Sequence, residues 1–171
     1  MRSAEVGSDR LRRYEERERA EMIYSQSQTD VKDIPFGLLK TERNGCGWIA
    51  VYNVLEILGV HPGMNHVKKS CEKHLPIGGI FGMPKKRFIK SLSDLGVKTE
   101  TAKSFSEIKK APCAVIWYAK KSGKAHYIVC QYLPDKDIFR YFNPTFPSMP
   151  PAEMLKTAGA AASMTIIIKG A

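Results

Sequence analysis

Cys46 stands between two glycines in the run Asn44-Gly45-Cys46-Gly47, directly ahead of a long apolar stretch. A thiol attacks a carbonyl only as thiolate, and a helix N-terminus with an imidazolium nearby stabilises that charge and lowers the pKa. The pattern puts Cys46 at such a terminus. Small neighbours leave the sulfur open, and the Cys46 main-chain N–H is placed to hold the oxyanion that forms when a carbonyl is attacked. The chemistry implied is acyl transfer through a thioester. A buried structural cysteine is the alternative, but a core cysteine has no need of Asn-Gly before it and Gly after it.

The thiol needs a base, and the chain has four histidines: His61, His66, His74 and His126. His126 opens the β-prone run 125–132, so a rigid strand would fix its ring, whereas the other three fall in or beside helical surface segments. Asn143 follows the run 138–142 and precedes Pro144. A hairpin turning at 134–136 would bring the start of one strand to the end of the other, and so His126 to Asn143. An amide oxygen accepting from one ring nitrogen would fix the tautomer and aim the other nitrogen at sulfur. A plain Asn-Pro turn is an equal reading of Asn143 by itself. His66, Cys71 and His74 form a rival cluster with zinc-like spacing, but a fourth ligand is missing. The expectation is therefore no metal and no cofactor.

These residues must be carried by elements that the hydrophobic period reveals. Trp48, Ile49, Val51, Tyr52, Val54, Leu55, Ile57 and Leu58 run round nearly every side of a helix that Gly59 ends, so that helix belongs inside a core. Asn44-Gly45 reads as a turn and a possible cap. Further helices are predicted over 62–75 and from Pro84 to Leu95, separated by the glycine-rich loop 78–82. Strands follow at 97–102, 113–118, 125–132 and 138–142, then a helix at 152–161 and a strand at 164–169. Helices first and antiparallel strands afterwards is the α+β pattern.

Composition bounds the rest. The chain has 171 residues, enough for one domain with a proper core, and an ordinary apolar fraction of 43%. Residues 4–23 are densely charged in both signs and read as a solvated helix, 25–33 as a polar linker. The domain boundaries expected are thus 1–33 for the charged appendage and 34–171 for the folded domain. A net charge of +10 makes the surface basic, but the lysines are scattered as short pairs without interleaved aromatics, so no nucleic-acid partner is expected. No apolar run is long enough for a membrane span, and arginines and glutamates fill the place of a signal peptide. With four cysteines the expectation is free thiols in a reducing, cytoplasmic setting. Oligomeric state is not legible.

The order Asn44-Gly45-Cys46-Gly47, then His126-Tyr127-Ile128-Val129, then Phe142-Asn143-Pro144 resembles the papain-like cysteine peptidases, and among them the bacteriocin-processing peptidases that remove double-glycine leader peptides. The likeness runs from about Phe36 to Lys169 and includes Leu95-Gly96-Val97-Lys98 and Ser106-Glu107-Ile108. It implies a helical half packed on an antiparallel sheet, a Cys46-His126-Asn143 triad and a peptide or protein substrate. That family usually has a glutamine about six residues before the cysteine to complete the oxyanion hole. Lys40 and Thr41 stand there in this sequence, which leaves Asn44 or Lys40 as the candidate donors. The leader peptidases usually have aspartate where Asn143 stands, and classical papain-like enzymes asparagine. The other readings open at this point are a catalytically impaired peptide-binding module and an acyl transferase on the same fold.

Overall fold

The computed structural model describes residues 22–171. The charged segment expected as a solvated helix lies outside the described residues, apart from its last two, Met22 and Ile23. The first half of the fold is helical. A small hairpin of β1 (Pro35–Phe36) and β2 (Leu39–Lys40) leads into a single turn, α1 (Thr41–Asn44), and then α2 (Cys46–Ile57), α3 (Met64–Glu72) and α4 (Lys85–Asp94). The second half contributes β3 (Lys98–Thr101), β4 (Cys113–Lys120), β5 (Ala125–Leu133), β6 (Ile138–Phe142), α5 (Pro151–Thr157) and β7 (Ala160–Gly170). These strands form one antiparallel sheet in the order β3-β7-β4-β5-β6, so the last strand of the chain lies inside the sheet rather than at its edge. The result is the α+β architecture that the sequence implies.

Both faces of the sheet are covered, which is why its central strands read as unbroken apolar runs. Cys113, Val115, Tyr127, Val129, Ile166 and Ile168 point towards the helical half, and Ala114, Ile116, Ile128, Cys130 and Ile167 towards α5 and the turn at Phe105–Lys110. Helix α2 is buried from Gly47 to Leu55, as its all-round apolar pattern demands. Truncating a core side chain such as Trp48 or Ile49 to alanine would cost about 3–5 kcal/mol.

One polar residue sits inside that helix. Asn53 is fully buried, and its amide both accepts from the Ile23 N–H at 2.9 Å and donates to the Ile23 carbonyl at 2.8 Å. This pairing pins a segment that the sequence reading treats as linker. Met22, Ile23 and Val31 are core residues, Tyr24 stacks near Phe142 with ring centres 5.6 Å apart, and the Asn143 N–H donates to the Tyr24 carbonyl at 3.2 Å. Residues 22–33 are therefore a strap of the domain, packed across it before Ile34. The end of α5 also differs from expectation. Gly159, at φ +71°, stops the helix that the alanines seemed to extend, and residues 160–163 belong to β7 instead.

Candidate active site

Gly45 joins α1 to α2 with helical dihedrals, and its N–H donates to the Thr41 carbonyl at 2.8 Å. A Cβ there would lie 2.4 Å from Thr41 Cγ2 and 2.7 Å from Thr41 O, so only glycine fits. Gly47 packs on Met83, where a Cβ would come within 3.3 Å of the methionine Cβ. The flanking glycines thus have packing reasons of their own. Asn44 does not cap α2, because its Nδ2 donates to the carbonyls of Phe36 at 3.1 Å and Gly79 at 3.0 Å and ties the glycine-rich loop to the β1–β2 hairpin. Cys46 then falls on the first residue of α2, half-buried, with His126 hydrogen-bonded to its thiol.

The sheet delivers the histidine. The β4–β5 register sets His126 opposite Tyr118, whose ring lies 5.8 Å away and tilted. His126 Nε2 is 2.5 Å from the main-chain oxygen of Asn143. A carbonyl can only accept, so Nε2 carries the proton and Nδ1 is left for the sulfur. Asn143 does meet His126, but through its backbone. Its side-chain Oδ1 instead accepts from the Gln26 main-chain N–H at 2.7 Å, and its backbone adopts φ +60°, which asparagine tolerates better than most residues. The expectation of an amide side chain orienting the ring is corrected in that respect.

Burial alone would push the Cys46 thiol up, yet the hydrogen bond and charge of His126, with help from the main-chain N–H groups of Tyr127 and Gly47, more than offset it and lower its pKa. The His126 pKa moves the opposite way. Burial opposes its charge, but Cys46 and then the Asn143 carbonyl raise it, with Lys120 pulling slightly down. Both shifts move the pair towards thiolate and imidazolium, the reactive form. Burial drives the other thiols in the reverse direction, Cys71 and Cys130 to about 12 and Cys113 higher still.

The two donors expected for an oxyanion are otherwise engaged. Lys40 is exposed and paired with Asp33 at 2.6 Å, away from the groove, and both amide hydrogens of Asn44 are spent on Phe36 and Gly79. Gln26 also lines the groove with Cys46 and His126. Its Nε2 donates one hydrogen to the Glu42 carbonyl at 2.5 Å, which leaves the second for a ligand. The groove itself is about 1100 Å³ in volume, floored by Cys46, His126 and Tyr127 and bordered by Leu39, Ile80, Phe81, Met83, Trp117 and Pro144.

Solved structures share this fold. The peptidase domain of Streptococcus ComA, a bifunctional ABC transporter involved in a quorum-sensing pathway, superposes with a TM-score of 0.55 at 12% identity, over 88% of this chain and 99% of that one. The fold is that of a papain-like cysteine peptidase domain. A double-glycine motif protease from an AMS/PCAT transporter, solved in complex with the leader peptide, superposes with a TM-score of 0.50 at 16% identity, over 74% of this chain and 84% of that one. No family model and no curated protein matches the sequence.

Within this papain-like fold the rival metal cluster is dispersed. Cys71 is buried in the core, His74 pairs with Asp94 at 2.7 Å, and His66 is exposed. No group of three metal-binding side chains converges among the described residues, and none of their helices is long and apolar enough to cross a membrane. Gln26 escaped the sequence reading because it lies 20 residues ahead of Cys46, in a polar stretch. The available signal was Asn53, a lone amide in an otherwise apolar helix that required a backbone partner.

Proposed function

We propose that the protein is a cysteine peptidase that cleaves a peptide bond through Cys46, His126 and Asn143. The observation that carries this reading is the hydrogen-bonded Cys46–His126 pair on the floor of an open groove, with the thiol pKa lowered and the imidazole pKa raised. The double-glycine motif protease bound to its leader peptide supports a peptide as the substrate class.

The Cys46 thiolate adds to the carbonyl carbon, and the resulting oxyanion is held by the Cys46 N–H and the spare Nε2 hydrogen of Gln26. His126 passes its Nδ1 proton to the amine nitrogen as the C–N bond breaks, which leaves a thioester. Water then attacks that thioester with His126 as base. The C–S bond breaks, the acid product leaves, and thiolate and imidazolium are restored. The Asn143 carbonyl holds the ring in its tautomer throughout.

The test is alkylation with iodoacetamide near neutral pH, followed by peptide mapping, alongside hydrolysis of a peptide library. Cys46 should be modified and the three buried cysteines spared, and Cys46→Ala should lose both labelling and hydrolysis while keeping a cooperative melt. Hydrolysis that survives in Cys46→Ala would remove the reading.

A further inference from the structure

The cations that border the groove meet no carboxylate within salt-bridge distance among the described residues. Some lysines elsewhere pair with carboxylates: Lys40 with Asp33, Lys68 with Glu72, Lys90 with Asp94 and Lys169 with Glu100. Arg43, Lys120 and Lys124 line the groove without an ion pair among the described residues, against one lining carboxylate, Glu42. Lys120 and Lys124 close the β4–β5 turn. The Lys120 N–H donates to the Lys124 carbonyl at 2.8 Å, and Gly123, at φ +83°, donates back to Lys120 at 2.9 Å, so the two side chains leave the same short turn. They line the same groove as Tyr118 and His126. The Lys120 charge is felt at His126, whose pKa it lowers.

The same groove has an apolar border that solvent reaches. Phe81 is 82% exposed and Ile80 49%, and both line it together with Met83 and Trp117. Lys85 lies 4.1 Å over the Trp117 ring, which adds another cation at that border. An apolar lining with cations beside it is complementary to a chain that carries both apolar side chains and carboxylates.

We infer that the groove takes an acidic peptide, with its carboxylates held at Lys120 and Lys124 and its apolar side chains against Ile80 and Phe81. This rests on the peptidase reading only in taking the groove for the substrate site. The net charge of +10 works in the same direction by steering anionic chains towards the surface at low ionic strength. Within the groove, the hairpin lysines turn that general attraction into a local preference.

Cys46→Ala protein allows binding to be read without turnover. Fluorescence anisotropy is measured with two labelled peptides of equal length that share a central leucine and are flanked by glutamates or by lysines. The acidic peptide should bind roughly three- to tenfold more tightly, as two exposed charge pairs allow. The preference should shrink as salt is added and reverse when Lys120→Glu and Lys124→Glu are introduced together. Equal affinities, no binding of either peptide, or a preference that survives the charge reversal would overturn the inference. Cleavage by the unmutated protein separates it from the peptidase reading. An acidic peptide that binds and is never cut leaves this inference standing and removes that one, whereas equal kcat/KM for both peptides does the reverse.

Discussion

His126 is held by the main-chain carbonyl of Asn143, at 2.5 Å, while the Asn143 side chain serves Gln26. One residue thus holds both the His126 ring and the backbone of Gln26. The two tasks can be separated by mutation because one uses the backbone and the other the side chain.

Asn143→Gly keeps the carbonyl and accepts φ +60° without strain, but removes the acceptor for the Gln26 N–H. Iodoacetamide labelling of Cys46 should keep its pH dependence in this variant, while hydrolysis should fall about tenfold or more as the Gln26 anchor is lost. A shift in the labelling profile would show that the side chain, not the backbone, sets the histidine.

The opposed shifts at Cys46 and His126 fix the shape of the pH profile. The lowered thiol pKa means that thiolate is present above it and lost as pH falls through it. The raised imidazole pKa means that the leaving-group proton is present below it and lost as pH rises through it. Activity should be bell-shaped, with its plateau between the two. In His126→Ala hydrolysis should drop roughly a hundredfold or more, and labelling of Cys46 should require more alkaline pH than in the unmutated chain, since only the Tyr127 and Gly47 N–H groups then oppose burial. Unchanged labelling in that variant would disconnect the pair.

Gln26→Ala removes the proposed oxyanion donor without touching the ion pair. Hydrolysis should fall by about 10²–10³ in kcat, with thiol labelling and melting temperature little changed. Lys40→Ala, which breaks only an exposed pair with Asp33, should leave kcat near that of the unmutated chain. Equal losses in the two variants would return Lys40 to the site.

The strap makes a sharp prediction about truncation. A chain beginning at Met22 should melt close to the full chain. One beginning at Val31 loses the buried Met22 and Ile23 and leaves the Asn53 amide unpaired in the core. Those losses are on the order of 5 kcal/mol, so the melting temperature should fall by about 10 °C or more, and hydrolysis should fall at least as far as in Gln26→Ala. Matching melts for the two chains would mean that the strap contributes no stability.

The helical half, the sheet and the placement of Cys46 and His126 were legible because each rests on residue type and period: an apolar run behind a small-residue turn, and a histidine opening a β-prone strand. Asn143 was legible as a position and not as a group. Spacing brings a residue to a place, but the choice between its carbonyl and its amide depends on local backbone dihedrals and on which neighbours compete. Gln26 was hidden for a different reason. Its contact depends on residues 22–33 folding back, and that polar stretch shows few apolar positions beyond Met22, Ile23 and Val31. The same competition engages the Asn44 amide with two carbonyls that no sequence window reveals.

Strand β7 lies between β3 and β4, and it pairs residues 160–170 with partners 98–101 and 113–120. During synthesis the sheet has a gap at its middle until those residues leave the ribosome. Only β3 waits on that gap, because β4, β5 and β6 pair in sequence order and β5, with His126, packs directly on the helix that begins at Cys46. The halves of the active site can therefore meet through local hairpins, and the late strand serves to close the sheet rather than to build the site.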